Sequence, residues 1–194
     1  MKKWKLFKWV FKKEFDMCEE AIMRNDQICK RAINDMKAEL ELKMRQYGLV
    51  NRIFLLFPDA KIIAVDKNKR DEEVLVVDTT YGTMLTVMLF GFSYQGITHL
   101  PRIEATIKKD VFFNYNHVHI EDITNIDDNI GNGSILMRNF IKIVEKLQVD
   151  YISGGLSSVD QGHFDRSEHF YKKFGFEVEF NEERTSGCIK KNMK

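Results

Sequence analysis

Between residues 3 and 47 the chain has no glycine and no proline. Nothing in that stretch interrupts a helix, and Gly48 stands where a C-cap would close one. Cysteine is scarce: Cys18, Cys29 and Cys188 are odd in number and far apart. No Cys-x-x-Cys or His-x-x-x-His spacing occurs, so the pattern predicts reduced thiols in a cytoplasmic protein and no metal site. A dominant charge is missing too. Lys and Arg number 30 against 29 acidic residues, a net charge of +1, which argues against a general nucleic-acid binder. No run approaches the roughly 20 apolar residues of a membrane span. Lys8, Lys12 and Lys13 break up any secretory signal at the N-terminus. With 44% hydrophobic and 30% charged residues, 194 residues suit one folded domain with an appendage.

The appendage is residues 1–47, read as an amphipathic, coiled-coil-like helix. Residues 1–15 hold Lys2, Lys3, Lys5, Lys8, Lys12 and Lys13 against Glu14 alone. Trp4, Phe7, Phe11 and Phe15 share a helical face there, read as a packing face ahead of a peripheral membrane contact. Apolar positions then recur at Phe15, Cys18, Ile22, Cys29, Ile33, Met36, Leu40, Met44 and Tyr47, with Asn25 on the seam. Steps of three, four and seven give an imperfect heptad face. Such a helix has no core of its own, so pairing in a homodimer is expected, and docking on its own sheet is the second choice.

Residues 48–194 read as a single α/β domain. Residues 53–57, 61–66 and 73–78 are short β-branched runs separated by turn signals, and residues 83–92, 102–108 and 111–123 continue as strands. A helix follows from Ser134 to about Leu147, with Leu136, Phe140, Val144 and Leu147 on its buried face. Residues 151–156 are a strand. A second helix opens at Asp165 with Glu168 three residues on, a capping-box pattern, and ends at Gly175. Strands at 176–180 and 188–191 complete a mixed sheet.

Strand, then Gly131-Asn132-Gly133, then helix is a physical recipe for holding phosphate, because small residues admit the ligand and a helix start offers unpaired N–H groups. The spacing is not that of a Walker or Rossmann loop. The run Ile123 to Gly133 followed by Ser134-Ile135-Leu136-Met137 resembles the Arg/Gln-x-x-Gly-x-Gly/Ala signature of the GNAT acetyltransferase superfamily. Downstream, Phe170-Tyr171-Lys172-Lys173-Phe174-Gly175-Phe176 is similar to that family's second signature, Tyr-x-x-x-Gly-Phe. The resemblance covers about residues 111–180 well, the earlier strands loosely and residues 1–47 not at all. It implies a single mixed, mostly antiparallel sheet with a β-loop-α-β-α-β-β core, and acetyl-CoA as co-substrate. By the same resemblance, Ile123 and Asn125 would offer main-chain groups to pantetheine. Asn129, Ile130, Gly131, Asn132, Gly133 and Ser134 would hold the pyrophosphate. Two departures stand out. Asp128 occupies the place of the family's Arg or Gln, and a carboxylate there repels pyrophosphate unless it turns outward or caps the helix. The two helices that the family places between its first and second strands have no counterpart between residues 50 and 80, so no acceptor pocket carries over.

The implied reaction needs a neutral amine. A lysine-like ammonium, with pKa near 10.4, is neutral only about once in 2,500 at pH 7, so a proton acceptor helps. His117, His119, Glu121 and Ile123 alternate along a strand and are expected on one face. His117-Val118-His119 resembles the His-x-His of arylalkylamine N-acetyltransferases, and histidine suits a neutral-pH relay. Half-buried structural histidines are the other reading, and Glu121 acting through water is an alternative base. Tyr171 stands at the family's general-acid position. The resemblance thus implies transfer of an acetyl group to a primary amine by direct attack. The competing reading is a GNAT-like domain without catalysis, a binding or assembly module on a helical stalk.

Overall fold

A computed structural model describes residues 9–94, 99–110, 115–124 and 129–193. The sequence candidates Trp4, Phe7, Asn125 and Asp128 lie outside the described residues. The chain divides into two compact units, residues 1–48 and 49–194. Helix α1 spans Lys12–Leu56. It therefore does not stop at Gly48, and residues 53–57 are not the strand that their apolar run suggested. A glycine inside a helix costs about 1 kcal/mol. Continuing the helix buries Leu49 and Ile53, and each such side chain is worth about 1.5–3 kcal/mol. Burial wins.

The unit of residues 49–194 is built on β1 (Lys61–Lys67), β2 (Glu73–Asp78), β3 (Met84–Phe90), β4 (Arg102–Asp110), β5 (Tyr115–Thr124), β6 (Tyr151–Leu156), β7 (Glu177–Phe180) and β8 (Gly187–Asn192). They form one sheet in the order β1-β2-β3-β4-β5-β6-β8-β7. Only β5 and β6 pair in parallel, and every other neighbour is antiparallel. Helix α2 (Asn132–Lys146) makes the crossover from β5 to β6, and a 3-10 turn (Ser158–His163) leads into α3 (Phe164–Lys173) ahead of β7. This is the expected mixed α/β fold: strands first, then β-loop-α-β-α-β-β, with a long helix in front.

Cross-strand register sorts the two faces. Leu85, Val87, Ile103, Ala105, Val118, Ile120, Ile152 and Ile189 are all buried. Their pairings place them together on one face. Both later helices cover that face. Helix α2 packs on β3 and β4, burying Leu136, Phe140 and Val144. Leu147, expected among them, is the exposed C-cap. Phe164 of α3 packs on Phe180, with ring centroids 4.9 Å apart. The opposite face is closed near β3, where Phe57 meets Phe90 edge-on at 6.2 Å. Beyond β4 it is half-exposed and polar. The expected capping box at α3 is not formed: its N-cap is His163. Asp165 and Glu168 instead pair with Arg184. Among the described residues, no helix is long and apolar enough to cross a membrane.

Candidate active site

Strands β5 and β6 run side by side only in part. Their parallel ladder pairs His117 with Tyr151, Val118 with Ile152, His119 with Ser153 and Ile120 with Gly154, and then ends. Both strands continue, β5 to Thr124 and β6 to Leu156. The two part where the register of β5 against β4 also slips: Ala105 pairs with Ile120 and Glu104 with Asp122, leaving Glu121 as an extra residue. A β-bulge of this kind bends its strand and increases its twist. Along residues 121–124, β5 stays hydrogen-bonded to β4 while its β6 side opens.

The bulge overturns one expectation. Strict alternation puts His117, His119, Glu121 and Ile123 on one face, but the extra residue reverses the phase. Ile123 pairs with Ile103 and packs, half-buried, against the core. The side chains of His117, His119 and Glu121 remain on the polar face. There His119 Nδ1 lies 3.0 Å from Ser153 Oγ, and its Nε2 lies 4.0 Å from Glu121 Oε2. Lys108 Nζ meets Glu121 at 3.1 Å. Its hydrogen bond, ahead of a smaller one from Thr106, holds the Glu121 carboxyl below the usual carboxylate range. His117 is used differently: its ring stacks on Tyr151, centroids 4.7 Å apart and nearly parallel. Lys190 Nζ sits over the same tyrosine at 4.9 Å.

Beyond β5, Gly131 is the N-cap of α2 in the left-handed region, φ 93°, and among the described residues no side chain caps the helix. Asn129 also has positive φ, 62°. The Lys69 N–H donates to the Ile130 carbonyl oxygen at 2.8 Å, which ties the β1–β2 turn to the loop. Asn132 and Gly133 are buried in the first turn. The Asn132 amide has no hydrogen-bond partner at Oδ1 or Nδ2 among the described residues. Ser134 Oγ receives a hydrogen bond from Lys173 Nζ at 3.2 Å. A helix start with glycine at its N-cap in the left-handed region, an amide orphaned among the described residues and a neighbouring ammonium together fit an anionic phosphate.

Tyr171 belongs to the helix-bearing face. It is buried, one helical face with Phe164, with edge-on contacts to Phe170 at 5.4 Å and Phe176 at 5.6 Å. The structure therefore places His119 and Glu121 on β5 beside the parted strands, with the Gly131 loop later in the chain, and sets Tyr171 and His119 on opposite faces of the sheet. Sequence reasoning missed Ser153 and Lys108. Both become visible only through strand register, since Ser153 pairs with His119 and Lys108 with His117. Among the described residues, no group of three His, Cys, Asp or Glu side chains is placed to hold a metal ion.

No family model matches the chain. The uncharacterized protein YocC of Bacillus subtilis (strain 168) is 28% identical over 169 residues, 86% of this chain and 94% of that protein. Among solved structures, similarity is found to Arabidopsis thaliana Naa50 in complex with the bisubstrate analogue CoA-Ac-MVNAL: 22% identity, 55% of this chain and 72% of that one, TM-score 0.42. A GNAT-family acetyltransferase from Streptococcus pneumoniae is similar at 16% identity over 58% of this chain and 68% of its own, TM-score 0.41. Nourseothricin acetyltransferase is similar at 12% identity over 69% and 84%, TM-score 0.43.

Proposed function

We propose that residues 49–194 form an N-acyltransferase that moves an acetyl group from acetyl-CoA to a primary amine by direct attack. The observation that carries this reading is the parted β5–β6 pair, with the glycine-capped start of α2 following β5. A long thioester substrate with a pyrophosphate behind it needs an extended slot lined by unpaired main-chain groups and then an anion site. Main-chain groups of residues 121–124, Ile123 included, would take the pantetheine amides, with Asn125 extending that set. The turn from Asn129 to Ser134 would take the pyrophosphate.

His119 is the base in this reading. Its bond to Ser153 holds the ring, and Glu121 steadies the imidazolium that forms. Glu121 itself is a poor base, because the hydrogen bond from Lys108 makes its carboxylate less ready to accept a proton. The amine nitrogen bonds to the thioester carbonyl carbon as His119 takes its proton, and the C–S bond breaks. Tyr171 donates the proton that leaves with the sulfur. Base and acid come from opposite faces of the sheet, and the opening between β5 and β6 is where both faces can be reached.

Thiol release from acetyl-CoA, followed across a panel of primary amines, tests the reading. Turnover is expected, and Tyr171→Phe should lower kcat by about 10²–10⁴-fold with coenzyme affinity nearly unchanged, the mark of a group acting in the transition state. A structural tyrosine would instead lower thermal stability with little specific rate effect. Absence of calorimetric binding at millimolar acetyl-CoA would sink the enzyme reading.

A further inference from the structure

Helix α1 buries no residue before Leu49. Ile22, Ile33, Met36, Leu40, Met44 and Tyr47 are all exposed large apolar side chains, and Cys18 and Cys29 are exposed thiols on the same stripe. The spacing of this stripe reads nearly the same in both directions about a centre close to Arg31. Laid against a reversed copy of itself, Phe15 meets Tyr47, Cys18 meets Met44, Ile22 meets Leu40, and Cys29 meets Ile33. Asn25 meets Met36 one position out of step, and a polar seam residue of that kind sets register at some cost in stability.

We propose that residues 12–48 pair with a second copy of the chain as an antiparallel two-stranded coiled coil in this register. Charge selects the direction. In the reversed pairing Glu19 falls opposite Lys43, and Asp26 falls one position from Lys37, each of opposite sign. In a parallel, in-register pair Glu14 of one copy would sit beside Glu19 of the other, at the positions where coiled coils place their interhelical ion pairs. Length supports the pairing: the segment is about 55 Å long at 1.5 Å per residue. At about 60–120 Å² for each seam side chain, two helices remove about 1,000–2,000 Å² from water, the range of stable interfaces. A lone helix with this much exposed apolar surface is marginal in water.

The test uses full-length protein carrying Cys29→Ser and Met44→Cys, which leaves Cys18 and the new thiol as the reporters on the stripe. Light scattering should give a dimer. Mild oxidation should link position 18 of one copy to position 44 of the other, identified by peptide mapping, and adding Cys18→Ser should abolish that link. Separately, Ile22→Lys should dissociate the dimer and Leu40→Glu added to it should restore it, since the two positions face each other only when the helices run in opposite directions. A monomer at 100-micromolar concentration (on the order of the affinities at issue), a link between the two Cys18 residues, or a dimer that links through neither position overturns the proposal.

Discussion

His117 and His119 are separated by one residue and meet different neighbours. The His117 ring lies flat on Tyr151, and His119 is held at Nδ1 by Ser153 with a carboxylate beyond its other nitrogen. A proton acceptor must present a lone pair to the substrate, and His119 is 31% exposed at the side chain. The lowered pKa of Glu121 means that it is already ionised well below neutrality, so it supplies no titration in the neutral range. The acidic limb of a pH–rate profile should therefore belong to a group other than Glu121, and the base in the proposed reaction is His119. His119→Gln is expected to lower kcat and flatten that limb, whereas His117→Gln should leave its position unchanged. A limb that survives in His119→Gln and disappears in His117→Gln would exchange their roles. The motif singled out both residues, but only the pairing of β5 with β6 distinguishes them.

Strand β6 has its own constraint at the point where the ladder ends. A Cβ added to Gly154 would stand 3.0 Å from Ile189 Cδ1, 3.1 Å from Ile189 Cγ1 and 3.3 Å from Ile120 Cβ. Glycine there lets β5, β6 and β8 close ranks under the last paired residues, just before the strands separate. Gly154→Ala should destabilise the fold by about 1–3 kcal/mol through overpacking, read as a shift in the urea midpoint. Shortening the neighbour with Ile189→Val should recover part of the loss. If the two changes simply add, the crowding is not between these residues. The same region shows how period fails as a guide. Alternation correctly places His117 and His119 together, and the bulge at Glu121 then turns Ile123 into the core. A bulge is a property of two strands, so one strand's sequence does not announce it.

The boundary between the two units falls at residues 48–49, within the sequence span of α1, which makes the choice of a cut informative. Leu49 and Ile53 precede the first strand yet are buried with the core of residues 49–194, Ile53 completely. A fragment of residues 49–194 should unfold cooperatively, followed by circular dichroism on heating. A fragment that begins at Pro58 removes both side chains and should be less stable by about 4–10 kcal/mol, on 2–5 kcal/mol for each lost core residue. That loss approaches the whole stability of an ordinary domain. Equal melting of the two fragments would show that the end of α1 contributes nothing to the core.

Signals carried within a few residues were legible from the chain alone. Gly131 and Gly133 ahead of the period Leu136, Phe140 and Val144 announced the loop and α2, and the run from Phe170 to Phe176 placed α3 before its glycine. The lack of glycine and proline between residues 3 and 47 announced α1. Those features rest on local energies, such as propensity, capping and side-chain period. The end of α1, the face taken by Ile123, and the pairing of His119 with Ser153 rest on contacts between residues far apart in sequence. Where a local preference of about 1 kcal/mol, such as glycine's at position 48, opposes burial worth two or three times as much, the distant contacts decide. The register of two parallel strands joined through a helix is set by the packing of that helix on the sheet, and no period within either strand encodes it.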